Sequence, residues 1–183
     1  MTRPTTLRAG PVVAAAAAVV GAFALDQATK AWALSALSNG SVIELAPTIR
    51  LKLVFNPGVA FGIGADVGAP LVVGLAAVIA ALLGWICVRL ARGHNVTGTV
   101  FLAVAAGGAT GNLWDRISRA ENRPLTGHVV DFIAVDWFAV FNVADIFTTC
   151  GIALWALTSA TRSPRLGAGI PAQPEKPDLP SPS

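Results

Sequence analysis

The chain has 183 residues, of which 54% are hydrophobic and 13% charged, with a formal net charge of +3. A soluble domain usually carries about 25% charged residues, so this composition excludes an ordinary water-soluble domain and points to a membrane protein. The small positive charge forms no basic stripe, its arginines flank helix ends, and nucleic-acid binding is not implied.

In chain order, residues 9–25, 67–88, 93–114 and 146–161 contain no Asp, Glu, Lys or Arg. These runs reach or approach the ~18–20 residues that span a bilayer, the last once residues 137–144 are added. The expectation is an all-α polytopic membrane protein with four transmembrane helices, at about 9–31, 67–88, 95–116 and 137–161. Together they would form one domain over 1–162. Residues 1–24 carry features of a signal peptide, with Arg3 and Arg8 before an apolar run and Ala22-Phe23-Ala24 resembling a cleavage site. Three further spans follow, so a retained first helix is expected. Asp26 and Lys30 lie at i,i+4, on one helical face; a pair at the membrane edge and a functional role are both open.

In the first extramembrane segment, Ile49-Arg50-Leu51-Lys52-Leu53 alternates as a half-wet strand does. Asn56-Pro57-Gly58 is a turn signal. The stretch 54–64 is apolar but too short to span, so a small sheet or re-entrant loop on the membrane is expected. In the third helix Ala103, Gly107 and Gly111 are spaced by four, which lets helix backbones approach closely. Asn112, Asp115 and Arg116 share one face, as an Asp–Arg lock of the helix end or as support for a site. The cysteines, Cys87 and Cys150, have no CxxC spacing and are expected in the core, with neither disulfide nor metal. Residues 128–135 read as a second strand, and 163–183, rich in Pro, as a disordered cytoplasmic tail.

Three aspartates, Asp131, Asp136 and Asp145, punctuate the apolar stretch 128–147, with Asn142 one turn before Asp145. Carboxylates are costly in such surroundings. They serve as caps or ion pairs, or they do chemistry, since two close carboxylates can share a proton and activate water. At 1.5 Å per residue, Asp26 lies ~27 Å beyond Arg8, Asn112 ~30 Å from Arg92 and Asp145 ~25 Å from Arg162. In antiparallel helices, Asp26, Asn112, Asp115 and Asp145 therefore meet near one membrane boundary. Loop Lys and Arg number seven on one side (Arg3, Arg8, Arg89, Arg92, Arg162, Arg165, Lys176) and six on the other (Lys30, Arg50, Lys52, Arg116, Arg119, Arg123). The count alone decides nothing under the positive-inside rule. Because Lys30 and Arg116 sit beside acids, cytoplasmic termini and an outward-facing site are favoured.

The motifs resemble those of the lipoprotein signal peptidases, bacterial signal peptidase II. Five blocks carry the resemblance, in order: Asp26-Gln27-Ala28-Thr29-Lys30, Asn56-Pro57-Gly58-Val59-Ala60-Phe61-Gly62, residues 107–116 ending Asn112-Leu113-Trp114-Asp115-Arg116, Val129-Val130-Asp131-Phe132, and Phe141-Asn142-Val143-Ala144-Asp145. The resemblance implies a membrane aspartic endopeptidase that removes the signal peptide of diacylglyceryl-modified prolipoproteins, cutting just before the lipidated cysteine. By it, Asp131 and Asp145 form the catalytic dyad, and Asp26, Lys30, Asn56, Asn112, Asp115, Arg116 and Asn142 bind substrate or support the site. Asp136 matches no catalytic position and is expected as a loop or cap residue. No cofactor is expected; His94 and His128 form no HExxH, and no GxSxG is present. The expected partners are the prolipoprotein substrate and membrane lipid, and the expected state is a monomer in the bacterial cytoplasmic membrane. The competing reading is a small proton- or ion-coupled transporter, whose carboxylates would sit nearer the midplane.

Overall fold

The computed structural model describes residues 9–58, 64, 66–121 and 123–161. The expected tail, 163–183, and Val59 to Gly62 of the second block lie outside the described residues. The elements are α1 (Ala9–Leu37), β1 (Ile43–Ala46), β2 (Ile49–Asn56), α2 (Ala69–Ala91), α3 (Val96–Ser118), β3 (Val129–Val135) and α4 (Val143–Ala160). All four helices are long and apolar enough to cross a membrane. The sequence expectation of four spans and a small β element therefore holds, with two boundaries moved. Helix α1 continues to Leu37, so its 29 residues reach ~43 Å. Helix α4 begins at Val143 rather than Trp137, because Asn142 caps it there.

Helix α3 is the centre of the bundle and packs against α1, α2 and α4. Its small residues make this geometry. A Cβ at Gly107 would meet the Val19 carbonyl oxygen of α1 at 2.5 Å, and one at Gly108 would meet the Ala144 carbonyl oxygen of α4 at 2.5 Å. Gly111 lies directly against the Asp26 carboxylate. Lipid gives no hydrophobic drive between helices, so such close van der Waals contact is what holds them together. The outer faces are correspondingly apolar and open, with Val13, Val20, Val73, Ile152 and Leu157 all exposed.

Helix α2 buries only Val72, Ile79 and Ile86, one stripe at a seven-residue repeat, and it packs mainly on α3. Cys87 follows the last residue of that stripe and is turned ~100° away from it, so it is exposed. Cys150 is exposed too, since its neighbour Gly151 is the residue that fits against the Phe101 carbonyl oxygen. Both cysteines thus depart from the expected core positions.

The strands form an antiparallel sheet in the order β1-β2-β3. The β2–β3 register shifts between Leu51 and Val54, so that Val54 stands opposite Asp131 and Asn56 opposite Val129. Asn56 and Asp131 are thereby diagonal neighbours on one face, within side-chain reach. The sheet rests on the end of α1, where Ala33, Leu37 and Phe132 form a buried cluster and the Trp32 and Phe132 rings meet edge to face at 6.3 Å. After β3 the chain turns at Asp136–Phe138 and doubles back, and Phe141 bridges Ile133 before α4 starts.

The glycines of α3 provide a test of this packing. Gly107→Ala should lower the stability of the detergent-solubilised protein by roughly 1–3 kcal/mol, the usual cost of overpacking. Gly74→Ala and Gly84→Ala on α2, where an added Cβ meets nothing within 4 Å, should be neutral or slightly stabilising. Thermal unfolding of the three variants checks this; equal behaviour would mean that the α1–α3 approach is not tight.

Candidate active site

At one end of the bundle α1, α3, the start of α4, β2 and β3 bring charged and amide side chains together. Lys30 is fully buried, and its ammonium meets Asp26 Oδ2 at 2.9 Å, Asp115 Oδ2 at 2.9 Å and Asn112 Oδ1 at 2.7 Å. An ammonium has three protons, and these are three acceptors. The pair at i,i+4 in the sequence is therefore a buried cross-helix node, not a surface pair. The remaining acceptor capacity of the two aspartates holds other elements. Asp26 Oδ1 accepts from the Ala144 backbone N–H of α4 at 3.1 Å, and Asp115 Oδ2 accepts from the Val130 N–H of β3 at 3.2 Å.

Asp131 and Asp145 are held differently. Asp131 Oδ1 accepts from Asn142 Nδ2 at 2.7 Å and Oδ2 from Asn56 Nδ2 at 2.9 Å. Asp145 Oδ1 accepts from Asn112 Nδ2 at 2.8 Å and Oδ2 from the Asn142 backbone N–H at 3.1 Å. Among the described residues neither carboxylate has an ion-pair partner. Asn142 thus contacts both acids. Its own Oδ1 accepts from the Asp145 N–H at 3.1 Å, completing a reciprocal capping box at the start of α4. The fold-back at Phe141 is what sets this residue between the strand and the helix.

Both acids line one cavity of about 610 Å³. Asn56, Asn112 and Arg116 supply more of its polar wall. Leu75, Val78 and Ile79 of α2 face Ile146, Thr149 and Cys150 of α4 across it. Asp131 is 2% exposed. Burial, with the Asp145 charge adding to it, outweighs the hydrogen bonds from Asn56 and Asn142 and pushes the Asp131 carboxyl up to about 6. Such a group keeps its proton into the range where general acids work.

One sequence expectation is altered and another, Asp136 as a loop residue, is met. Arg116 makes no ion pair with Asp115; it donates from Nη1 to the Pro57 carbonyl oxygen at 3.1 Å and from Nη2 to that of Gly58. Asp115 is served instead by Lys30 and, at 3.2 Å, by Arg119. Asp136 lies away from the cavity, pairs with Arg50 of β2 and donates its N–H to the Thr48 carbonyl oxygen. Sequence reasoning passed over Gln27, which donates to Asp26 at 3.0 Å and reaches Asp115 at 3.4 Å. Its place inside the first block was the available signal.

The raised Asp131 carboxyl has a stability consequence with a definite sign. The folded state binds this proton more tightly than the unfolded chain does, so stability is fully present below about pH 4 and is lost as pH rises toward 6. The shift of about two units corresponds to roughly 3 kcal/mol. In Asp131→Asn this dependence disappears. Relative to the parent, the variant should therefore gain stability between pH 4 and pH 7, as read by thermal unfolding at each pH. A constant difference between the two proteins across that range would contradict it.

Residues 18–161 match the family model described as signal peptidase (SPase) II. The lipoprotein signal peptidase of Bifidobacterium longum subsp. infantis is 45% identical over 140 residues, covering 74% of this chain and 69% of the relative. That of Mesorhizobium japonicum is 36% identical over 140 residues, covering 74% and 79%. Among solved structures, one described as a bacterial membrane enzyme superposes with a TM-score of 0.64 at 24% identity, over 92% of this chain and 99% of that one, a similarity of fold. The family model spans most of the chain and includes all five motif blocks, and this chain belongs to the signal peptidase II family.

Proposed function

We propose that this protein is a membrane aspartic endopeptidase that removes the signal peptide from diacylglyceryl-modified prolipoproteins, cutting immediately before the lipidated cysteine, with Asp131 and Asp145 as its catalytic dyad. The observation that carries the reading is the contrast between its carboxylates. Asp26 and Asp115 are neutralised by Lys30, whereas Asp131 and Asp145 face one cavity and receive hydrogen bonds from amides alone. Two such groups cannot both ionise easily. One, ionised, takes a proton from water as the water oxygen attacks the scissile carbonyl. The other, protonated, donates to the carbonyl oxygen and supports its developing charge. Asn142 keeps the two in a fixed relation, and Asn56 and Asn112 hold their outer oxygens. No step needs a cofactor.

The cavity suits a lipid-linked peptide. Its walls on α2 and α4 are mostly apolar and the acids lie at its end, so acyl chains can stay among helices while the peptide bond reaches the dyad. Gathering of the acids at one end of the bundle, together with family membership, leaves the transporter reading without support. The arginines at the ends of α2 and beyond α4 favour cytoplasmic termini, with the site near the outer face of a bacterial cytoplasmic membrane and the protein acting as a monomer. The domain is taken as 1–162, with the cytoplasmic tail dispensable for cleavage.

Cleavage of a purified prolipoprotein, with and without its diacylglyceryl group, tests the function. The lipidated form should be cut well and the unmodified form poorly; equal cleavage would indicate a general peptidase. In the same assay Asp131→Asn and Asp145→Asn should each abolish turnover while keeping membrane insertion. The double variant should be scarcely worse, since residues acting as a unit are not additive. Asp136→Asn should retain most activity, as its pair with Arg50 is exposed and worth at most about 1 kcal/mol. A dead Asp136→Asn beside an active Asp131→Asn would overturn the dyad.

Orientation is tested by thiol labelling. Single cysteines introduced within 40–50 and 118–121 should react with impermeant reagent from outside the cell; reaction from the cytoplasmic side alone would invert the topology.

A further inference from the structure

The two acids of the proposed dyad are held by equal numbers of hydrogen bonds but not by equivalent surroundings. Asp145 Oδ1 accepts from Asn112 Nδ2 at 2.8 Å, and the oxygen of that same amide lies 2.7 Å from the Lys30 ammonium. A cation on an amide oxygen polarises the group and makes its N–H a stronger donor. Asp145 also occupies the third position of α4, where the backbone N–H groups and the helix dipole favour a negative charge. Asp131 has neither advantage. It lies on a strand, and its donors are the side chains of Asn56 and Asn142. Among the described residues the Asn56 oxygen accepts the Gly58 N–H and that of Asn142 the Asp145 N–H, and neither meets a cation.

We infer that the Lys30 ammonium, acting through the Asn112 amide, makes Asp145 the ionised carboxylate that takes the proton from water and leaves Asp131 as the acid that serves the carbonyl oxygen. This rests on the peptidase reading above and adds to it the roles of the two acids. Lys30 is then a positioning residue, since it touches no reacting atom. The charged groups acting on Asp145 are Lys30 on α1, Arg116 on α3 and Asp131 on β3; Asp26 and Asp115 are the acids paired with Lys30, and α2 carries Arg89, near its far end. Of the two cations, Arg116 is engaged with the Pro57 and Gly58 carbonyls, and only Lys30 is joined to Asp145 by a hydrogen-bonded path.

The proton balance closes. Asp145 takes one proton from water as the C–O bond forms, and the carbonyl oxygen takes the proton of Asp131, giving a gem-diol. On collapse the C–N bond breaks, the leaving nitrogen takes the proton from Asp145, and a gem-diol hydroxyl returns one to Asp131. One water is consumed and both carboxyl groups are restored.

The test is the pH profile of kcat/KM on a diacylglyceryl-modified prolipoprotein. Its acid limb reports ionisation of the base and its alkaline limb loss of the acid's proton, as macroscopic values of the pair. In Lys30→Gln the acid limb should move up by about one unit, the usual effect of losing a nearby opposite charge. The alkaline limb should move by clearly less, because no polarised amide of this kind links Lys30 to Asp131. The loss is then about tenfold at low pH and recovers as pH rises. Lys30→Arg, which keeps the charge, should restore the limb. Asn112→Leu severs the path while leaving Lys30 on its two aspartates, and it should give the same displacement even if Lys30→Gln fails to insert. A larger movement of the alkaline limb than of the acid limb would reverse the roles, and equal loss at every pH would make Lys30 purely structural; either overturns the proposal. Retained cleavage in Asp145→Asn would instead remove the dyad reading beneath it.

Discussion

The buried ammonium of Lys30 is the interaction on which the rest depends. An uncompensated charge in this setting costs several kcal/mol. Its compensation comes from both sides of a helix pair, Asp26 on α1 and Asp115 and Asn112 on α3. Each of its partners then reaches one element further. Asp26 holds the first turn of α4, Asp115 holds the second residue of β3, and Asn112 holds Asp145. Four separate stretches of chain are located by one charge. Gly111 makes the node possible, because any side chain there would occupy the place of the Asp26 carboxylate.

The same local chemistry yields two kinds of carboxylate. Asp26 and Asp115 share a cation and two backbone N–H groups, and they are structural. Asp131 and Asp145 are solvated by side-chain amides and one peptide N–H. Amides satisfy a carboxylate without neutralising it, so these acids remain able to exchange protons in a confined site. Three asparagines in one small volume are the signature of that arrangement, and they come from β2, α3 and the cap of α4.

Much of this was legible in the sequence. The uncharged runs located the four helices, because a bilayer demands a fixed apolar length. The 1.5 Å rise placed the acids at one end, and the motif blocks named the residues that the structure gathers there. What could not be read was contact that depends on register or on folding back. The shift between Leu51 and Val54 decides that Asn56 meets Asp131, and no local residue announces it. The return of the chain at Phe141 delays α4 by six residues from the expected start and puts Asn142 beside β3. Arg116 beside Asp115 in sequence suggested an ion pair, yet on a helix adjacent residues point apart, and its guanidinium reaches the turn after β2. Cys87 failed as a core residue because in a bilayer an apolar residue is equally at home on the outside, and Cys150 because it lines the cavity.

Tolerance of exposed apolar surface also shapes access to the site. A soluble bundle would close its helices around the cavity to hide apolar walls from water. Here α2 commits one narrow stripe to α3 and keeps the rest of its surface open, and the cavity lies between its inner residues and those of α4. In lipid such an opening costs little, since acyl chains replace the missing helix contacts. The glycine-tight packing of α1, α3 and α4 fixes the acids, while the loosely attached α2 leaves the apolar wall accessible from the side. A rigid polar end and an open apolar flank are what a substrate that is half peptide and half lipid requires, and both follow from where the small residues of α3 are spent.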